Sequence, residues 1–406
     1  MNRSLTGSAA LLGVFAIVAG SIGGLGLATI AGGTSAPRSA SRPASNAPSP
    51  TGQAATGTRT PAAGAPQAAS PIPAVSSPTP SPLPILVPAP LDGILVSPAR
   101  AASHPIAVMV DDLGPARPQS GFSEASVVWH APAEGGIPRY MMVFGAGAPS
   151  SVGPVRSARY YFVAWAAEWQ AMYVHAGGSP QALAVLRQKG SGQLVYNADE
   201  FRYGWTYLWR VRTRSSPHNV YTDDAHLRRL ATVVGATAPP GGPVWRFGPD
   251  APLVARPIGG RIEIDYPANH VRYDYDRLSN TYQRSVSREG AQVDAATGER
   301  VAPKNVVVMR LRFGPLGDGH PEKHRLEADV VGSGAAWIAT NGRTIVGTWR
   351  KDTLDGPTRF FDKAGNPVTL TAGQTFVQVV PLSWKVVVKD GKPAPSARTV
   401  GAAAAS

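Results

Sequence analysis

Three turn segments gather residues whose types suit acid–base or anion chemistry. Asp111 and Asp112 end the apolar run 105–110 (PIAVMV), with Arg117, Gln119 and Ser120 shortly after. Glu134 and Arg139 stand on either side of Gly135 and Gly136. Arg156, Ser157 and Arg159 precede a long apolar stretch. If Arg156 and Arg159 open a helix at residue 158, their guanidinium groups and the free amides of its first turn face one point. Such a point suits phosphate or carboxylate. The competing expectation is that these acids and arginines neutralise one another and merely hold the turns.

Two histidines add a titratable group near neutral pH. His175 precedes Gly177, Gly178, Ser179 and Pro180; the glycines let a ligand approach the backbone, and the helix start offers amide donors. His218 lies in the string Ser216-Pro217-His218-Asn219. Ser157 or Ser179 with either histidine has the composition of a nucleophile–base pair. No G-x-S-x-G string surrounds either serine, so nucleophilic catalysis is not expected. His320 and His324 stand four apart, but Pro321 and the nearby glycines place them in a loop. The arginines near Asp111, Asp112 and Glu134 oppose a dedicated cation site. No metal or cofactor is expected.

The elements that must position these groups follow from apolar spacing. Strands are predicted over 105–110, 125–130, 139–144 and 171–175, with helices over 158–169, 180–189 and 223–234. Ser179 is the expected N-cap of the second helix, Asp223 and Asp224 are expected to cap the third, and Pro180 suits a first turn. After 240 the pattern is mostly strand: 261–266, 270–275, 281–286, 305–313, 325–331, 343–349 and 375–380. Trp205, Tyr207 and Trp209 alternate along a predicted strand; core packing is expected, the alternative being a face stacked on sugar rings. The order of elements predicts an α+β fold, a mixed α/β N-terminal lobe (92–240) packed with a strand-rich C-terminal lobe (241–392). The Pro/Gly cluster at 239–243 marks the seam, and 393–406 reads as a frayed tail.

Composition bounds the class. The 406 residues include no cysteine, which excludes disulfides, thiolate chemistry and a lipid-bearing N-terminal cysteine. Net charge is +13, of which the first 91 residues carry four arginines and no acid. A basic surface favours acidic partners. Nucleic acid is not expected, because no basic run, zinc spacing or aromatic ribonucleoprotein string occurs. Residues 9–31 contain no charge and are long enough to cross a bilayer, with Arg3 on the cytoplasmic flank. A signal anchor over 1–33 is expected, giving a single-pass protein with its folded part outside the cytoplasm. Cleavage near 31–36 and secretion is the alternative. Residues 34–91, rich in Ala, Pro and Ser, read as a disordered, semi-stiff tether.

Longer strings carry a resemblance. PIAVMVDDLGPARPQSGFSEASVVWHAPAEGGIPRYMMVF (105–144), GPVRSARYYFVAWA (153–166), VHAGGSP (174–180) and SPHNVY (216–221) are similar to the N-terminal part of the YerB-like lipoprotein family. NVVVMR (305–310), LEADVVGSG (326–334), TWRKD (348–352), TRFFD (358–362) and GQTFVQVVP (373–381) resemble its C-terminal part. The resemblance implies an α+β envelope protein with no assigned catalytic residues. It also implies departures: a missing lipid-bearing cysteine, Asp112 where Asn is expected, and His130 where Glu is expected. The resulting expectation is a membrane-tethered, non-catalytic module that binds an envelope protein or an anionic wall polymer. An extracytoplasmic enzyme using Asp111, Arg117, Arg156, Arg159 and His175 on a phosphorylated or glycan substrate is the alternative. It requires those groups to converge on one pocket.

Overall fold

The computed structural model describes residues 84–287 and 289–394. The expected anchor (9–31), most of the expected tether and the tail beyond 394 lie outside the described residues. Among the described residues, no helix is long and apolar enough to cross a membrane.

In chain order the main elements are β1 (Ile106–Asp111), β2 (Val127–Glu134), β3 (Ile137–Phe144), α1 (Tyr160–Ala167), β4 (Met172–His175), α2 (Pro180–Leu186), β5 (Tyr196–Asp199) and α3 (Asp224–Val234). Then follow β6 (Ile258–Tyr266), β7 (Asn269–Asp276), β8 (Thr281–Val286), β9 (Gly290–Ala291), β10 (Asn305–Leu311), β11 (Gly332–Thr340), β12 (Arg343–Lys351), β13 (Arg359–Asp362), β14 (Thr375–Pro381) and β15 (Val386–Lys392). This is an α+β fold.

One ten-stranded sheet runs β13-β12-β11-β10-β14-β2-β3-β1-β4-β5. A second sheet of five strands runs β9-β8-β7-β6-β15. One core lies on the α1 face of the large sheet, and the other lies between the large sheet, the five-stranded sheet and α3. Strands β1, β10 and β14 are apolar almost throughout because both their faces are covered. The strands of the smaller sheet alternate: Val271, Tyr273 and Tyr275 turn inward from β7. Seven of the eight residues of α1 are buried, so this helix has no polar face to offer solvent. Its Trp165 stacks on Trp129 of β2 with ring centroids 4.6 Å apart. Ser179 and Asp223 cap α2 and α3 as expected, accepting from the amides of Ala182 and His226.

Several expectations need correction. The Pro/Gly cluster at 239–243 does not divide the large sheet. Strand β14, from the C-terminal half, pairs in parallel with β2, from the N-terminal half, matching Thr375 to Val127 and Gln378 to His130. The fold also begins before residue 92: Val87–Pro88 pairs with Leu95–Val96, and Ala89 and Leu91 are buried. The strand predicted over 325–331 is only Leu326–Ala328, and the long strand β11 follows it instead. Gly334 of β11 leaves room for Trp349 of β12; a Cβ there would lie 2.6 Å from the Trp349 indole nitrogen. Of the aromatic trio, only Trp209 lies in a strand (Trp209–Arg210), and Trp205 is 94% exposed.

A buried ion pair ties the two halves together behind α1. Glu168, the C-cap of α1, accepts from Lys351 Nζ at 3.0 Å and from Thr358 Oγ1 at 2.5 Å. Neither charged side chain has any exposure. Burial raises the Glu168 carboxyl above its ordinary range, and the Lys351 ammonium and Thr358 hydroxyl pull it part of the way back.

Packing at the β12–β13 junction is tight as well. A Cβ on Gly347 would meet the Phe361 carbonyl oxygen at 1.8 Å, and backbone cannot yield as a side chain does. Gly347→Ala is therefore expected to lower unfolding free energy by about 1–3 kcal/mol. Urea denaturation checks this, and a variant as stable as wild type would show that β13 can move aside.

Candidate functional site

Strands β1, β4 and β5 are parallel neighbours, and their carboxyl ends carry Asp111, His175 and Asp199. Open α/β layouts collect ligands outside such ends. Three loops cover this end: 112–120 after β1, 153–159 before α1, and 211–219 between the short strands Trp209–Arg210 and Val220–Tyr221.

Neighbouring strand residues point to opposite faces of a sheet, and this separates the two aspartates. Asp111 turns to the α1 face. Its Oδ2 accepts from Arg156 Nε at 2.9 Å and from His218 Nδ1 at 2.7 Å. Asp112 turns to the five-stranded sheet and is fully buried there. The two carboxylates therefore cannot share a cation. Among the described residues, no group of three His, Cys, Asp or Glu is placed to hold a metal ion.

Four side-chain donors surround Asp112: Arg117 Nε at 2.9 Å, Gln119 Nε2 at 3.2 Å, His130 Nε2 at 2.8 Å and Asn269 Nδ2 at 2.8 Å. Burial opposes its ionisation. The His130 hydrogen bond and the Arg117 and Arg284 charges outweigh burial, so the carboxyl titrates well below the usual range. Burial pushes the His130 imidazole down, against the pull of Asp112. His130 stacks on Tyr140 with centroids 4.3 Å apart, and its Nδ1 meets Gln378 Oε1 at 2.9 Å. This network joins β1, β2, β7 and β14 inside the second core. Sequence reading left His130 and Gln378 out of the site; a histidine within an apolar strand was the available signal.

Glu134, Arg139 and Arg159 form a third group. Glu134 accepts from Arg139 Nη2 at 2.6 Å and pairs with Arg159 through its other oxygen. Arg139 also donates to the Ser157 carbonyl at 3.0 Å. Arg156 and Arg159 do not face one point. Residues 155 and 158 pair as extended backbone with Val110 and Gly178, and α1 starts only at Tyr160. Three residues apart in extended chain means opposite sides, so Arg156 reaches Asp111 and Arg159 reaches Glu134.

His175 is fully buried, with Nδ1 2.8 Å from the Gly177 carbonyl and Nε2 2.8 Å from Asn197 Oδ1. Both ring nitrogens are thus engaged inside the fold. Ser179 spends its hydroxyl on the α2 cap, and Asn219 accepts from Arg210 at 3.0 Å. Asp111, Arg117, Arg156, Arg159 and His175 therefore divide among four networks rather than converging on one pocket.

A recess opens among the loops 112–120 and 211–219. It has a volume of ≈ 500 Å³ and is lined by Pro115, Arg117, Thr213, Arg214, Ser215 and His218. The Asp111 bond fixes the His218 ring, whose Nε2 makes no hydrogen bond among the described residues. Arg214 binds the loop after β1 through three carbonyl oxygens: Pro115 at 2.9 Å, Arg117 at 3.2 Å and Pro118 at 2.7 Å. Among the described residues no carboxylate pairs with Arg214, so its charge is not neutralised. The recess thus presents a fixed cation, an oriented imidazole and two hydroxyls, a donor set suited to an oxyanion. Arg214 escaped the sequence reading because its role depends on one loop lying across another.

Comparison with known proteins follows the same chain order. Residues 91–237 match the family described as "Protein of unknown function (DUF3048) N-terminal domain", and residues 262–377 match the corresponding C-terminal domain. A Bacillus subtilis (strain 168) protein described as "Putative lipoprotein YerB" is 30% identical over 306 residues, covering 72% of this chain and 86% of its own. The crystal structure of the YerB protein from Bacillus subtilis superposes with a TM-score of 0.64 at 26% identity. That match covers 74% of this chain and 99% of the other.

Proposed function

Because the chain belongs to the YerB-like family, described as of unknown function, we propose that it is a membrane-associated, extracytoplasmic module without catalytic activity. Its ligand is a phosphate-bearing polymer of the cell envelope, bound at the recess beside His218. The lipoprotein description of the relative supports the envelope placement. In this chain the uncharged segment 9–31 takes the role of the absent lipid-bearing cysteine.

The observation that carries the reading is the un-neutralised Arg214 charge beside the fixed His218 ring. Repeating phosphates along a polymer answer such a site, and a net basic body raises the encounter rate. The division of Asp111, Arg117, Arg156, Arg159 and His175 into separate paired networks favours binding over catalysis.

Titrating the full chain with poly(glycerol phosphate) and with a neutral glucan tests the proposal. Binding to the phosphate polymer alone is expected, weakening as salt rises. Arg214→Gln should weaken it about tenfold, the scale of one charge-assisted hydrogen bond. His218→Gln, which keeps a donor for Asp111, should weaken it in the same direction. Equal affinity for the neutral glucan, or no effect of either variant, overturns the reading.

A further inference from the structure

A second surface, distinct from the recess, lies on the segment 200–212. Phe201 is 77% exposed and Trp205 is 94% exposed. Exposure that large is costly for an indole in water, and this one is imposed by the backbone. Trp205 adopts φ 67°, a conformation that non-glycine residues rarely take. It is held there by its own amide, which donates to the Leu208 carbonyl at 2.8 Å, and by the Gly204 amide, which donates to Glu200 at 2.7 Å. The turn is therefore built, not frayed, and it directs an aromatic ring outward.

Basic residues lie in the same segment as these rings. Arg202, Arg210 and Arg212 are exposed. The one acid of the segment, Glu200, is already bound to Arg210 at 2.8 Å. Among the described residues, Arg202 and Arg212 have no carboxylate partner. The rings and two guanidinium groups without a carboxylate partner thus share one short segment, with Arg202 lying over the Tyr203 ring at 5.1 Å.

We propose that this segment docks on an anionic lipid bilayer surface. Indole and phenyl rings settle at the headgroup level of a membrane, where one side is apolar and the other wet. Arginines next to them meet anionic headgroups. A neutral glycan would satisfy the rings but leave the charges without a role, so charge complementarity selects the lipid surface. The inference goes beyond the recess reading and uses none of its residues.

The test uses the full chain in vesicles whose acyl chains are brominated, which quench only indoles at or within the bilayer. The chain has nine tryptophans, so the Trp205 signal is taken as the difference between wild type and Trp205→Phe. That substitution sits at an exposed position, and an unchanged near-UV circular dichroism spectrum verifies the fold. The difference signal is expected to fall roughly twofold in phosphatidylglycerol vesicles and to stay constant in phosphatidylcholine vesicles. Arg202→Gln with Arg212→Gln should abolish the fall. An unquenched signal in both vesicle types overturns the proposal, and so does equal quenching in both. Loss of recess binding with quenching intact would reject only the recess reading.

Discussion

Lys351→Met is expected to lower the unfolding free energy by about 3–5 kcal/mol, because it leaves the Glu168 carboxylate buried without its cation. The Glu168 Oε2 atom already lacks a partner, so no spare donor compensates. The deficit has a pH signature. Burial holds the Glu168 carboxyl above its ordinary value, and removing the ammonium raises it further. A carboxyl whose folded pKa exceeds its unfolded value binds its proton more tightly in the native state. Stability is then greatest below the unfolded value and falls as pH rises through the folded one. The variant should accordingly lose more stability at neutral pH than near pH 4. Glu168→Leu combined with Lys351→Met removes both charges and should recover much of the loss. Urea titrations of wild type and the two variants at two pH values check this. A single variant with wild-type stability at neutral pH would mean that water reaches the pair.

The second large effect concerns Asp112 and His130. Four donors converge on the Asp112 carboxylate, and an amide there would set its own N–H groups against some of them. Asp112→Asn should cost roughly 3 kcal/mol. The direction with pH is opposite to that at Glu168. The folded Asp112 value is depressed, so its contribution is present above the unfolded value and is lost as pH falls. His130 is also depressed, so its neutral form favours the fold above about pH 6.5 and resists it below. Wild type should therefore weaken progressively on the acid side, and Asp112→Asn should flatten the lower part of that limb. The YerB-like pattern suggests Asn at 112 and Glu at 130, and the structure places these two positions in direct hydrogen-bond contact at 2.8 Å. On the expectation of Asn at 112 and Glu at 130 that the resemblance implies, the two departures move one carboxylate across one hydrogen bond. Asp112→Asn with His130→Glu should be more stable than the sum of the single changes by about 1–3 kcal/mol. A double-mutant cycle in guanidinium chloride measures this coupling, and additivity within error would contradict it.

Much of the frame was legible in the sequence because apolar runs and caps are local properties. Strands β1, β3, β4, β7, β8 and β14, and the capped helices α2 and α3, fall close to their predicted positions. Strand β11 was not legible, since its glycines and alanines carry little strand propensity and Gly334 answers a tryptophan on the next strand. Strands β5, β13 and β15 were missed for a related reason: short or edge segments carry few apolar positions. The polar clusters were found as sets of residues but not as partnerships. Strand alternation alone would have sent Asp111 and Asp112 to opposite faces, and extended backbone before Tyr160 would have separated Arg156 from Arg159. Glu168 also left a signal, a lone acid inside the string ARYYFVAWAAEW. Its partner Lys351 lies 183 residues away, and nothing in the spacing joins them.

The parallel pairing of β14 with β2 sets the order in which the molecule can be completed. A polypeptide emerging amino-terminus first presents Val127–Glu134 long before Thr375–Pro381 exists to lie beside it. Until then the apolar strand β2 keeps one unpaired edge, the kind of surface that recruits other chains. Closing a contact between segments this distant is also slow. Maturation of the domain is therefore a late, all-at-once event, and the nascent amino-terminal half depends on being kept apart from its copies until the last central strand arrives.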